Sequence, residues 1–202
     1  MRLLMLAGPG AGKGTQAQRL ADHYGVEHVA SGDLLRAEVE AGTDVGQAVE
    51  AAMNSGDLVP DDVILEIIGQ RLSAASHQGG YVLDGFPRNL AQAKRAYEMA
   101  REVGNIELQA VVHLRVDRDE LARRMLARAE EEGRLDDTRA TIEHRLAVFD
   151  EQTQPLVRYY TDRGLVHSID GNQDVEDVTT AILEALAGLA TDDDGSAQRS
   201  SA

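Results

Sequence analysis

Short apolar runs of β type alternate with longer amphipathic helical patterns along this chain, which predicts an α/β fold: a five-stranded parallel sheet covered by helices on both faces. Two further observations sharpen it. A glycine-rich turn bearing a lysine follows the first apolar run, and the stretch between the second and third runs holds more helix than a strand–helix–strand crossover requires. A length of 202 residues suits one domain with a small appendage.

The first strand is predicted over residues 2–6 (RLLML), ended by Gly8-Pro9-Gly10, and a helical run follows over 16–24. A short second strand occupies 27–29. Residues 31–59 carry two short helical patterns, split by Gly42-Thr43 and closed by Gly56, and read as a small inserted subdomain. Pro60-Asp61 is a helix start signal, and Val63, Ile64, Ile67, Ile68 and Leu72 then recur at helical spacing over 61–72. The third strand is 81–83, the fourth 109–116 and the fifth 165–169. A charged stretch at 129–137 (AEEEGRLDD) joins two long helices, the second beginning near Asp136-Asp137-Thr138, residues suited to an N-cap. Residues 191–202 are acidic, then small and polar, and read as a disordered tail.

Composition excludes several function classes. With 35 Asp and Glu against 20 Lys and Arg, the formal charge is −15, which argues against a broad basic surface for nucleic acid or an anionic membrane. The absence of cysteine removes disulfides, thiolate zinc sites and a cysteine nucleophile together. The apolar start at residues 1–7 is too short for a signal sequence or a membrane span, so a soluble cytoplasmic protein is expected. Of the 20 basic residues only Lys13 and Lys94 are lysines. The rest are arginines, the side chain suited to bidentate capture of phosphate.

One lysine lies in the segment Ala7-Gly8-Pro9-Gly10-Ala11-Gly12-Lys13-Gly14-Thr15, between strand and helix. Glycines let backbone N–H groups converge on phosphate oxygens, the helix N-terminus adds partial positive charge, and the lysine reaches the outer phosphates. A tight turn needing glycines for geometry alone would not require Lys13. Asp84, at the end of the third strand, stands where open α/β sheets gather ligands, and can hold Mg²⁺ through water. Its alternative reading is an N-cap for the next helix.

Ala7 departs from the general phosphate-loop pattern, and Gly14 stands where Ser or Thr normally follows the lysine. Gly14 is informative, because G-x-P-G-A-G-K-G-T is the form of adenylate kinases and their nucleoside monophosphate kinase relatives, which this segment resembles. Ser31-Gly32-Asp33-Leu34-Leu35-Arg36, Gly56-Asp57-Leu58-Val59-Pro60 and Leu83-Asp84-Gly85-Phe86-Pro87-Arg88 extend the resemblance in chain order over roughly residues 1–185.

The resemblance implies a three-layer phosphate-loop NTPase fold of α/β/α type. Residues 1–30, 60–126 and 138–190 would form its core, 31–59 a helical monophosphate-binding insertion and 127–137 a short lid. It implies that Gly10, Ala11, Gly12, Lys13, Gly14 and Thr15 cradle the ATP phosphates, with Arg128 on those phosphates and Arg124 and Gln173 at the donor adenine. Whether Arg123 or Arg124 faces that base stays open. Arg36 and Arg88 would clasp the acceptor phosphate, Arg134 and Arg145 bridge both nucleotides, and Asp57, Leu58, Val59, Gly85, Phe86 and Pro87 line the AMP site. Ser31 and Gln92 favour adenine, as in the AMP-specific members, whereas Asn89 is common in the pyrimidine branch.

The implied reaction is reversible, Mg²⁺-dependent transfer from ATP to AMP giving two ADP, by a cytoplasmic monomer serving nucleotide homeostasis, with no zinc. An ionised acceptor phosphate needs no general base, which accords with six histidines falling in no catalytic motif. A UMP/CMP kinase and a non-catalytic nucleotide-binding module are the alternatives. A GTPase switch lacks its Asn-Lys-x-Asp motif here.

Overall fold

The computed structural model describes residues 1–55, 57–104, 106–132 and 138–189. Gly56, Arg134 with the rest of 133–137, and the predicted tail lie outside the described residues.

Five parallel strands form one sheet in the order β2-β3-β1-β4-β5. They are β1 (Arg2–Leu6), β2 (Glu27–Ala30), β3 (Tyr81–Asp84), β4 (Ala110–Arg115) and β5 (Val166–Asp170). Successive side chains of a strand point to opposite faces, and helices cover both, so the central strands carry continuous apolar runs, residues 3–6, 81–83 and 110–112, rather than alternation. Leu3 and Met5 of β1 join Val82, Val112 and Leu114 in one core layer, closed by Leu20 of α1 (Lys13–Tyr24) and Ile182 of α9 (Val175–Leu186). Leu4 and Leu6 join Val29, Leu83 and Val111 in the other, closed by Ile64, Ile68 and Leu72 of α4 (Asp61–His77). The three-layer α/β/α architecture is therefore present as expected.

Two helices run longer than their apolar periodicity. α1 begins at Lys13 rather than at residue 16, because Gly10 and Gly12 make the turn with φ of 82° and 84° and the helix starts immediately afterwards. α4 continues to His77 through Ser73-Ala74-Ala75-Ser76, a stretch with little apolar signal in which Ala75 is nevertheless wholly buried.

The insertion is two helices, α2 (Ser31–Glu40) and α3 (Asp44–Ser55). Gly42 turns the chain at φ 64°, and the Gly46 N–H donates to Thr43 Oγ1 at 2.9 Å. After α5 (Leu90–Val103) and α6 (Arg118–Glu132), α7 (Arg139–Val148) starts at Thr138, whose Oγ1 accepts from the Thr141 N–H at 3.2 Å. α7 widens into a π-turn at Phe149–Thr153 before α8 (Pro155–Thr161). Pro155 has no N–H and its ring crowds the carbonyl four residues back. The ladder relaxes accordingly, with the Gln154 N–H donating to Phe149 O at 2.8 Å. No helix among the described residues is long and apolar enough to cross a membrane.

Candidate active site

A cavity of about 530 Å³ opens at the C-terminal ends of β1, β2 and β3. Sheet register builds it: Met5 pairs with Asp84 and Ala30 pairs with Asp84 from the other side, so the turn after β1, the start of α2 and the loop after β3 emerge together. Ligands of open α/β sheets gather at such strand ends.

Lys13, Gly10, Gly12, Gly14 and Thr15 line its floor. Lys13 Nζ folds back over its own loop, donating to Ala7 O at 3.0 Å and Gly8 O at 3.1 Å. Ala11 is buried behind the loop and does not reach the cavity. Burial pushes the Lys13 pKa below the ordinary lysine value, with the Arg88 and Arg128 charges acting in the same direction and Asp84 against them. Arg88 is shifted down in the same way, by burial first and then by Arg145 and Arg36, again with Asp84 opposing. Mutual repulsion among so many cations is unfavourable until an anion enters, and a polyanion would relieve it.

Asp84 does not cap the following helix. That role belongs to Asn89, whose Oδ1 accepts from the Gln92 N–H at 2.8 Å. Asp84 Oδ1 is buried with no hydrogen-bond partner among the described residues, and Oδ2 lies 3.6 Å from where a Cβ on Gly14 would sit. A carboxylate in that position suits a cation held beside the phosphate loop.

The rest of the cavity is built from α2, the residues that follow α3 and the loop after β3. Ser31, Arg36, Asp57, Leu58 and Val59 line one wall, and Gly85, Pro87, Arg88 and Gln92 the other. Phe86 points instead into the core, where it is wholly buried. Arg36 pairs with Asp33, one turn earlier in α2. Arg88 Nε donates to Gly85 O at 2.6 Å. Gly85 must be glycine on two counts, since its φ is 82° and a Cβ there would run into Ser31 Oγ. That hydroxyl is itself buried without a partner among the described residues.

Arg124 and Arg128 of α6 and Arg145 of α7 complete the wall. Of the two neighbouring arginines, Arg124 lines the cavity and donates from Nε to Glu120 Oε1 at 2.6 Å, while Arg123 pairs with Glu120 from the exposed side of the helix. Two contacts tie α7 to the insertion. Arg145 Nη2 donates to Met53 O at 3.4 Å, and His144 Nε2 donates to Asp57 Oδ1 at 2.7 Å. Gln173 stays outside the cavity, on the turn after β5, where Nε2 donates to Asp170 O at 3.4 Å.

Sequence reasoning missed three contributors. Thr153, in the π-turn, lines the cavity and donates from Oγ1 to Arg88 O at 2.6 Å. Asp61 holds Gln92, with Gln92 Nε2 donating to its Oδ1 at 2.8 Å, although in sequence it is only a helix start. His28 of β2 also lines the cavity.

This arrangement, with a lysine-bearing phosphate loop, a carboxylate beside it and arginines converging from four separate elements, is built to hold phosphates from two directions. The chain's likenesses agree with it. A family model described as adenylate kinase matches residues 5–165. An adenylate kinase of Synechococcus sp. (strain RCC307) is 49% identical over 186 residues, covering 92% of this chain and 98% of its own. One of Thermobifida fusca is 45% identical over 190 residues, 94% and 100% of the two chains, and one of Stenotrophomonas maltophilia 42% over 188 residues, 93% and 100%. Matches that run nearly end to end, on a cavity assembled from the motifs that carry the resemblance, place the chain in the adenylate kinase family.

Proposed function

We propose that this chain transfers a phosphoryl group reversibly from ATP to AMP, with Mg²⁺, giving two ADP. The observation that carries the reading is the convergence of Lys13, Asp84, Arg36, Arg88, Arg128 and Arg145 on one cavity.

The backbone of the loop from Gly10 through Ala11, Gly12 and Gly14 to Thr15 holds the donor phosphates together with Lys13, and Arg128 neutralises their outer oxygens. Arg124 lies against the donor base, with Gln173 reaching it from the turn after β5. Arg36 and Arg88 clasp the acceptor phosphate, while Ser31, Gln92 and the backbone at Asp57–Val59 take the base. Arg145 and Arg134 bridge the nucleotides. The acceptor phosphate is anionic at neutral pH and attacks without a protein base, so these residues act by positioning and by neutralising charge. Single arginines of this kind are worth roughly 10³–10⁵ in rate.

Asp84 fits Mg²⁺ held through water. This ion keeps several waters and takes one or two carboxylates with substrate phosphates rather than a protein cage. The lone buried carboxylate beside Gly14 matches that, and no cluster of three metal-binding side chains occurs among the described residues. When bound with the nucleotide, Mg²⁺ supplies charge neutralisation across its phosphates.

Residues 31–59 form the acceptor arm and 127–137 a short lid on the core of 1–30, 60–126 and 138–190. Their closure over bound nucleotides excludes water, the competing acceptor.

Initial rates with MgATP on AMP, UMP, CMP and GMP test the reading. AMP is expected to lead UMP and GMP in kcat/KM by about 10² or more, since a site that hydrogen-bonds one donor–acceptor order leaves buried groups unpaired with the reverse order. A UMP or CMP preference would overturn the choice of base.

A further inference from the structure

The side-chain amide of Gln92 is fixed at both ends. Its Oε1 accepts the Arg88 backbone N–H at 2.7 Å, and its Nε2 donates to Asp61 Oδ1 at 2.8 Å. Gln92 is only 2% exposed, so water cannot replace either partner. An N–H can face only an acceptor, and a carboxylate can accept only from a donor. Rotating the amide by half a turn would set its oxygen against the Asp61 carboxylate and its NH₂ against the Arg88 N–H, losing both bonds at once. Oxygen and nitrogen in this amide therefore occupy assigned places.

Asp61 comes from the first turn of α4 and does not line the cavity. It is held in turn by Asn89, whose Nδ2 donates to the same Oδ1 at 3.2 Å while its Oδ1 caps α5. Asn89 thus spends both ends of its side chain on the protein, and its presence is explained without a pyrimidine acceptor.

With one bond made at each end, Gln92 has one N–H and one oxygen lone pair to offer into the cavity. Adenine meets such an amide with an amino donor and a ring-nitrogen acceptor. Uracil and guanine present a carbonyl acceptor and a ring N–H, the reverse order, which the same amide could read only after turning over. Cytosine presents the adenine order.

We propose that Asp61 is a positioning residue for base choice: by locking the Gln92 amide it lets the acceptor site read bases that present an amino donor beside a ring-nitrogen acceptor and reject those that present a carbonyl beside a ring N–H. The proposal rests on the reading of Gln92 as the reader of the acceptor base.

Asp61→Asn tests it with nearly unchanged shape. The charge-assisted bond is lost, and the asparagine can offer its own NH₂ to a turned-over Gln92 oxygen. Relative to AMP, kcat/KM for UMP and for GMP is expected to rise by about fivefold or more. The CMP-to-AMP ratio should stay where it was. Asp62→Asn removes a neighbouring exposed charge from the same helical turn and should leave all ratios unchanged. A uniform fall across the four acceptors in Asp61→Asn, or ratios identical to the parent's, would overturn the lock; Asp61→Ala, with thermal melting recorded for each variant, checks this where the asparagine folds poorly. Gln92→Ala separates the two levels. If it leaves discrimination among the four acceptors intact, Gln92 is not the reader; if it erases discrimination while Asp61→Asn does not shift it, only the lock fails.

Discussion

Lys13 carries the heaviest electrostatic load at the level of single residues. Burial and two arginine neighbours lower its pKa, so it loses its charge at a lower pH than a lysine in water, about 10.4. Donor binding should then be complete below the lowered value and fall away as pH rises through it. The pH profile of kcat/KM for MgATP reports the free enzyme's groups, and its alkaline limb is expected below the ordinary lysine range; a limb at or above that range would contradict the burial argument. Lys13 stood out in the sequence from its glycine-rich turn and Asp84 from its place at a strand end, whereas Arg88 was singled out only through the family resemblance. Arg124 was not distinguishable from Arg123, since two adjacent helical positions differ only in which face the core presents. Asp61 and Thr153 were not legible because their partners lie 31 and 65 residues away.

Among the elements, the α2–α3 pair packs backbone against backbone. Gly46 lies inside α3, where sequence alone marks it as a weak point worth about 1 kcal/mol against alanine. The structure gives it a reason. A Cβ there would sit 2.7 Å from the Val39 nitrogen and closer still to the Glu38 carbonyl, and these are backbone atoms of α2 that cannot swing aside. Overpacking of this kind costs about 1–3 kcal/mol and outweighs the gain in helix propensity. Gly46→Ala should lower Tm by about 2–6 °C in a chain of this size. Because α2 also carries Ser31 and Arg36, KM for AMP should rise more than KM for ATP. A raised Tm would show that the two helices have room to part. The helical split at Gly42-Thr43 was readable from turn chemistry, whereas this close approach was not, because it depends on how two helices cross.

At the scale of the whole molecule, the charge of −15 and the cationic cavity coexist because most acidic side chains among the described residues are exposed, while Lys13 and five arginines converge on the strand ends. The alternation of strands and helices announced a parallel sheet but left its strand order open, since alternation alone fits several topologies. The order β2-β3-β1-β4-β5 sets β1 beside β3, and that adjacency brings the phosphate loop to Asp84. Phosphoryl transfer in either direction between two adenine nucleotides held in this one cavity is what the arrangement predicts. It is tested most directly by giving the protein MgADP alone and following all three nucleotides by chromatography. Equal amounts of ATP and AMP should appear, and Lys13→Ala should slow their appearance by at least about 10²-fold. ADP that persists unchanged with the parent protein, or ATP formed without matching AMP, would rule out transfer between two bound nucleotides.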